Sequence, residues 1–333
     1  MAKISRIAVL GDGGWGTTLA RLLALKGYKV RLWGAFKENI RAIAKNRVNQ
    51  KFLPAIKIPR QIELTWNLAL AVKEANLIVL AIPSQYLRNI LRRLKYLDIS
   101  LVPFLSVVKG IETKTLMRIS QVIREELGEG IKLAVLSGPT IAMEVAKGIP
   151  TTAVISSPDK QFAQSLQDVF ITGRFRIYTN PDIIGVELSG SLKNIIAIAC
   201  GICDGLGFGA NTKAALLTRG LVEMSRLAVA MGAKKETASG LSGLGDLVTT
   251  CISPYSRNRF VGEQIGKGKK LKDILSRMEM IAEGITTAKS AYLLSRKYKI
   301  SMPITEQVYR VLYKNKNPLK AVNDLMTRER KKE

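Results

Sequence analysis

Lys193 and Asn194 stand at the head of an apolar run, Ile195 to Ile202, that is hydrophobic on every helical face. A helix of that kind belongs in a protein core. A lysine fixed at its start loses hydration, which lowers its pKa, and a lysine nearer neutrality can take and return a proton. Most lysines instead carry their charge out to water, so this segment alone leaves both readings open. The chain contains no histidine. Any proton-transfer group must therefore be Lys, Asp, Glu, Tyr or Cys. Three cysteines without histidine make a poor zinc ligand set, and no metal is expected. Cys200-x-x-Cys203 has redox spacing but lies inside the apolar run, so it reads as a pair of buried structural thiols.

A second set of residues points to a nucleotide. Ile4 to Leu10 is a short run suited to a buried parallel strand, and Thr17 to Lys26 has helical spacing. Between them Gly11-Asp-Gly13-Gly14-Trp15-Gly16 fits G-x-G-x-x-G. In that fingerprint Gly11 permits the tight turn, Gly13 lets backbone approach a pyrophosphate, and Gly16 lets helix and strand pack closely. The helix N-terminus supplies amide donors. The next strand, Lys29 to Trp33, lacks the acidic residue that would bind an NAD ribose hydroxyl. It runs instead into Gly34-Ala-Phe36-Lys37. That absence admits a 2′-phosphate, with Lys37 or Arg31 as partners and Phe36 against the adenine, so the cofactor is NAD or NADP with a lean to NADP. Further strands end in Pro83-Ser84, in Lys109-Gly110 and in Ser137-Gly138-Pro-Thr140. Ligands collect at such carboxyl edges. A lysine there is well placed to meet an anion.

These residues need a frame. The length of 333 residues, 47% of them hydrophobic, suits two domains with sizeable cores. Strand patterns end near Thr179, and Asn180-Pro-Asp182 marks a boundary. The fold expected is α/β, an N-terminal Rossmann-type doubly wound sheet over 1–182 followed by an all-helical domain over 183–333. Helices are expected from Asn211 to Met231, Lys270 to Met278, Ile285 to Lys297, Met302 to Asn315 and Pro318 to Thr327. Two polar loops lie between them, Leu241 to Cys251 and Ser253 to Arg259. No apolar run is expected to span a bilayer, since Glu187, Lys193 and Asp204 interrupt the longest. The N-terminus lacks a signal-peptide pattern, so a cytoplasmic protein is expected. The formal net charge is +26. Its basic residues are scattered and aromatics are only 6%, which favours an anionic small substrate over nucleic acid. Arg328 to Glu333 reads as a solvated tail.

With these residues in view, the chain resembles bacterial NAD(P)-dependent glycerol-3-phosphate dehydrogenases nearly end to end. The likeness rests on Gly11 to Gly16, Lys109-Gly110, Ser137 to Thr140, Leu192 to Asn194, Gly205 to Lys213, Leu241 to Asp246, Ser256 to Asn258 and Ala282 to Gly284. It implies interconversion of sn-glycerol 3-phosphate and dihydroxyacetone phosphate, the reductive direction feeding phospholipid synthesis. It assigns Lys193 as proton acceptor and donor, oriented by Asn194 and Asp246 with Thr250 nearby. Lys109 would polarise the substrate oxygen and touch the cofactor. Gly138 and Thr140 would contact substrate, and Ser256, Arg257 and Asn258 would clamp its phosphate. Arg257 would also reach the cofactor, where Gly14, Trp15, Ala142, Ile281 and Glu283 match further positions. Many relatives carry His or Arg where Ala35-Phe36 stands, Met143 replaces a frequent lysine and Ala210 a frequent aspartate. The first departure bears on the choice between NAD and NADP; neither Met143 nor Ala210 carries the chemistry. The partners expected are a phosphorylated small molecule and a second copy of the chain, without nucleic acid and without insertion into a membrane.

Overall fold

The computed structural model describes residues 4–330. Strands β1 (Arg6–Leu10), β2 (Lys29–Trp33), β3 (Val48–Asn49), β4 (Leu53–Lys57) and β5 (Glu63–Thr65) come first. They are followed by β6 (Leu77–Leu80), β7 (Phe104–Ser106), β8 (Leu133–Ser137), β9 (Thr151–Ser156) and β10 (Phe175–Asn180). Between them run α1 (Gly14–Leu25), α2 (Lys37–Asn46), α3 (Leu68–Val72), α4 (Ser84–Leu94), α5 (Ile119–Leu127), α6 (Ala142–Ala146) and α7 (Lys160–Phe170). Among the described residues an eight-stranded sheet has the order β10-β9-β8-β7-β6-β1-β2-β5, and β3 pairs with β4 beside it.

The expected Rossmann-type sheet is present with one reversed junction, where β9 runs antiparallel to β8. The helix linking them, α6, has five residues and is about 7.5 Å long. It is too short to carry the chain back along a five-residue strand of roughly 17 Å. Elsewhere the crossovers are parallel, and both faces of the sheet are covered. Ile7 and Val9 of β1 enter one core, Ala8 and Leu10 the other. This is why β1 reads as a continuous apolar run. β1 pairs with β2 on one side and β6 on the other. Strand order reverses there, so a crevice opens beyond its carboxyl end.

From Asp182 onward the chain is helical: α8 (Ile183–Gly205), α9 (Ala210–Ala230), α10 (Asp246–Ile252), α11 (Arg257–Gly266), α12 (Leu271–Ser276), α13 (Glu283–Lys297), α14 (Pro303–Tyr313) and α15 (Pro318–Met326). Asp182 starts α8 by accepting from the Gly185 N–H at 2.9 Å. Lys193 therefore lies in the middle of a helix and not at its head, because the small residues Gly185, Ser189 and Gly190 continue the helix instead of breaking it. The expectation about membrane length is corrected too. α8 is 23 residues long and apolar enough to cross a bilayer, yet 94% of its most apolar window is buried inside the protein. The first expected loop is helical throughout, and the second keeps an irregular turn over Ser253 to Ser256 before a helix begins. Leu241–Gly245 is a π-helical turn leading into α10, and α11 begins at Arg257. The end of the expected tail, residues 331–333, lies outside the described residues.

α8 and α11 cross almost without side chains between them. A Cβ on Gly201 would lie 2.0 Å from the Arg259 carbonyl oxygen, and one on Gly205 2.3 Å from that of Glu263. Reciprocally, a Cβ on Gly262 would lie 2.1 Å from the Ile198 oxygen, and one on Gly266 2.3 Å from that of Ile202. Glycines four apart on both helices let the two backbones touch. That contact lays α11 along the C-terminal part of α8.

Candidate active site

The Lys193 side chain is 7% exposed. Its Nζ donates to Thr250 Oγ1 at 2.6 Å and lies 3.0 Å from Asp246 Oδ1. Thr250 Oγ1 in turn donates to the same Asp246 oxygen at 3.1 Å, one helical turn along α10. The other carboxylate oxygen, Oδ2, takes Lys109 Nζ at 2.6 Å. One buried carboxylate thus holds two ammonium groups, one from the sheet edge and one from α8. Burial pulls Lys193 down to about 8; Asp246 opposes that shift and Lys109 adds to it. Burial alone would raise Asp246, but the two lysines outweigh it and keep its carboxyl below the usual range.

Lys109 is positioned by the strand edge. Its Nζ also donates to the Gly138 carbonyl at 2.9 Å and to Thr140 Oγ1 at 3.2 Å, so the Ser137–Thr140 turn and the β7 edge meet at one cation. Gly138 has φ 135° and could take a side chain only with strain. Across the gap, Ser191 Oγ of α8 donates to the Gly110 carbonyl at 3.2 Å, tying the Lys109 loop to the helix of Lys193.

Asn194 faces the other way along α8. Its Oδ1 accepts from Asn258 Nδ2 at 2.8 Å, and Asn258 Oδ1 accepts from the Gly284 N–H at 2.9 Å. Ser256 Oγ accepts from the Arg259 N–H at 3.2 Å and caps α11. Of the expected phosphate clamp, Arg257 keeps a solvent-exposed surface, while Ser256 and Asn258 are buried. Nearby protein strips enough water from Arg257 to lower its pKa, with Glu283 opposing. Burial likewise raises Glu283, against hydrogen bonds from Ser84 and the charge of Arg257. Glu283 reaches across to the sheet, accepting from the Ser84 N–H at 2.7 Å and from Ser84 Oγ at 2.5 Å.

The glycine turn lies at the carboxyl end of β1. Gly11 has φ 125°, and a Cβ there would meet the Ala81 oxygen at 2.4 Å. One on Gly16 would meet the Gly11 oxygen at 1.9 Å. Around Gly13 nothing lies within 4 Å of that position. The first intrahelical bond of α1 runs from Thr17 N–H to Gly13 O, leaving the amides of Gly14, Trp15 and Gly16 ahead of it. Open space at Gly13, amides without helical partners and no acid in the first turn of α1 suit a dinucleotide pyrophosphate. Thr18 Oγ1 donates to both the Gly14 and the Ala142 carbonyls, bringing α6 beside the turn. The Trp15 ring packs edge-on against Phe175, and its Nε1 is buried without a partner. Ile281 and Phe36 are exposed, Phe36 at 70%. Arg31 is removed as a 2′-phosphate partner. Its Nε binds Glu63 at 2.5 Å, and its Nη1 donates to the Leu70 and Lys73 carbonyls. Lys37 lies over the Trp66 ring, 5.2 Å from its centroid.

Two supporting residues, Asn49 and Ser191, carried no local signal in sequence, and a third, Ser84, was marked only as the end of a strand. Asn49 Nδ2 donates to the Asp12 carbonyl and to Thr17 Oγ1, bracing the glycine turn. Ser84 and Ser191 each connect the sheet edge to the helical region. Only the folded topology brings them to their partners.

The sequence pattern of the NAD-dependent glycerol-3-phosphate dehydrogenase N-terminus matches residues 6–163, and that of its C-terminus residues 182–323. A Chlorobium limicola protein named glycerol-3-phosphate dehydrogenase (NAD(P)+) is 51% identical over 98% of this chain and 99% of its own length. The crystal structure of glycerol-3-phosphate dehydrogenase from Coxiella burnetii is 40% identical with a TM-score of 0.94, covering 97% of this chain and 99% of that one. The Saccharomyces cerevisiae glycerol-3-phosphate dehydrogenase structure is 30% identical with a TM-score of 0.81, over 96% and 99%. The chain belongs to the NAD(P)-dependent glycerol-3-phosphate dehydrogenase family.

Proposed function

We propose that the chain interconverts sn-glycerol 3-phosphate and dihydroxyacetone phosphate with NAD or NADP, and that Lys193 handles the proton. The observation that carries this reading is the buried Lys193 ammonium, lowered to about 8 and held between Thr250 and Asp246. A nicotinamide, when bound, supplies the acceptor or donor of hydride. The chain's own part is to bind, orient and move the proton. In oxidation neutral Lys193 Nζ takes the proton of the substrate hydroxyl; in reduction the ammonium returns it. Thr250 and Asp246 hold that amine in place. Lys109, fixed by Gly138, Thr140 and Asp246, polarises the same substrate oxygen. Arg257 meets the phosphate, for which a planar guanidinium is suited. Asn194 and Asn258 hold the segment bearing Arg257 against α8. The backbone of Gly11, Gly13, Gly14, Trp15 and Gly16 would hold the dinucleotide, with Ala142, Ile281 and Glu283 lining the same cleft and Phe36 by its adenine end.

The division into a nucleotide domain over 1–182 and a catalytic domain over 183–333 belongs to this proposal. So do cytoplasmic placement, a homodimeric state and supply of glycerol 3-phosphate for phospholipid synthesis, which follow from the family likeness. NADH and NADPH oxidation, measured side by side with dihydroxyacetone phosphate and with unphosphorylated dihydroxyacetone, tests the activity. Turnover is expected with the phosphate ester alone. Equal turnover of both ketones overturns the assignment.

A further inference from the structure

On the flank of α1, apart from the Lys193 cleft, five cations share one hollow. Arg21 of α1, Lys45 and Arg47 at the end of α2, Lys57 at the end of β4 and Arg60 in the turn beyond line a cavity of about 470 Å³. Among the described residues no carboxylate lines it, and none of the five takes part in an ion pair. The chain carries 26 acidic residues against 52 Lys and Arg, so an even scatter would set acids among so many bases. The negative end of the α2 dipole accounts for Lys45 and Arg47. It does not account for Arg21, Lys57 and Arg60, which come from other elements.

Two of the arginines are anchored without being neutralised. Arg21 Nε donates to the Lys57 carbonyl at 3.1 Å and its Nη1 to the Ala146 carbonyl at 3.2 Å. Arg47 Nη1 donates to the Ile62 carbonyl at 3.1 Å. Arg47 also sits at the C-cap of α2 with φ 50°, a conformation that glycine holds at less cost. Lys45, Lys57 and Arg60 are exposed around this anchored pair. A concave surface lined by one sign of charge concentrates its field on an ion of the opposite sign. Guanidinium groups bind phosphoryl oxygens in pairs. The volume falls within the range of about 300–1,000 Å³ typical of small-ligand sites.

We infer that this hollow binds a compact anion bearing two or more phosphoryl groups, at a site separate from the dinucleotide turn. Arg21 lies seven residues past Gly14 on α1, about 10 Å along the helix axis. Calorimetric titration of the full-length protein with sodium tripolyphosphate tests this, with and without saturating NADPH. The double variant Lys45→Ala/Arg60→Ala removes two exposed cations with no described side-chain hydrogen bond. Lys272→Ala/Arg277→Ala removes two exposed cations elsewhere. One equivalent per chain is expected, unaffected by NADPH, weakened about tenfold or more by the first pair and less than about twofold by the second. The inference is overturned by no binding, by many equivalents, by equal losses in the two variants, or by displacement with NADPH. Binding to phosphatidylglycerol vesicles without binding to tripolyphosphate overturns it as well.

Discussion

Methionine at position 193 keeps the length and apolar stem of lysine and deletes the ammonium. In the folded protein burial holds that group near 8, against an ordinary 10.5. The difference of 2.5 (10.5 − 8), at about 1.4 kcal/mol each, amounts to about 3 kcal/mol of stability given up to keep Lys193 protonated at pH 7. The folded pKa is lowered, so the unfolded chain holds the proton more tightly. The contribution of Lys193 to stability is therefore fully present above 10.5 and is lost as pH falls to about 8. Lys193→Met is accordingly expected to be more stable than the parent at pH 7, by up to about 3 kcal/mol, and to lose that advantage as pH rises toward 10.5. Guanidinium chloride unfolding of the two proteins at matched pH values measures the difference, and titrating groups away from the Lys193–Asp246–Lys109 cluster cancel in the comparison. The same variant is expected to lose about 10²–10⁴ in turnover while still binding NADPH. In the parent, kcat/KM for glycerol 3-phosphate oxidation is expected to climb through about pH 8 as the amine becomes neutral. Near-normal turnover of the variant, or a stability gap that stays constant from pH 7 to 10.5, refutes the reasoning.

Asp246→Asn leaves Lys109 and Lys193 without their shared carboxylate. It is expected to cost about 3–5 kcal/mol in unfolding free energy and to move the oxidation pH limb below that of the parent; an unmoved limb contradicts the electrostatic role. Arg257→Ala is expected to raise KM for glycerol 3-phosphate with a smaller effect on kcat, and an unchanged KM removes the phosphate contact. Gly262→Ala forces a methyl against the Ile198 carbonyl. A loss of about 1–3 kcal/mol in stability and a raised KM for the phosphorylated substrate are expected, and a variant unaltered in both shows that the crossing has slack.

The nucleotide half of the protein was legible in sequence because its signals are local. Gly11, Gly13 and Gly16 sit between a short apolar strand and a helix, and each spacing has its own steric reason. Lys109 and Thr140 could be placed at the sheet edge for the same cause, since a strand that ends in a lysine or a glycine turn announces its own boundary. The helical half was read less well. Polar and glycine-rich stretches suggested loops at Leu241–Cys251 and Ser253–Arg259, yet Gly243 in the first is pressed against the Ala238 backbone, and Gly262 and Gly266, just past the second, are pressed against that of α8. Glycine looks alike in sequence whether it serves a turn or a close crossing. The length of α8 was missed for a related reason. Glu187 and Lys193 looked like interruptions, but Glu187 is buried with Arg118 and Ser120 as partners, and Lys193 has Asp246. Partners 69 and 53 residues away along the chain cannot be inferred from spacing. The same holds for Arg31, whose free charge in sequence is consumed by Glu63 in space.

Among the described residues α8 is the one helix long and apolar enough to span a bilayer. Ile111 and the sheet edge precede it, but much of its cover follows it in sequence: Met224, Leu247, Val261, Ala288 and Val308 share its core. While the polypeptide is being made, that stretch emerges before the later part of its cover exists, with the length and hydropathy of a bilayer-spanning segment. Glu187 and Lys193 are then its main marks of difference, since a charge placed centrally in such a segment disfavours lipid insertion by about 2.5–3.5 kcal/mol. On the proposed mechanism, the amine assigned to proton transfer would thus also help to keep the nascent chain out of the membrane.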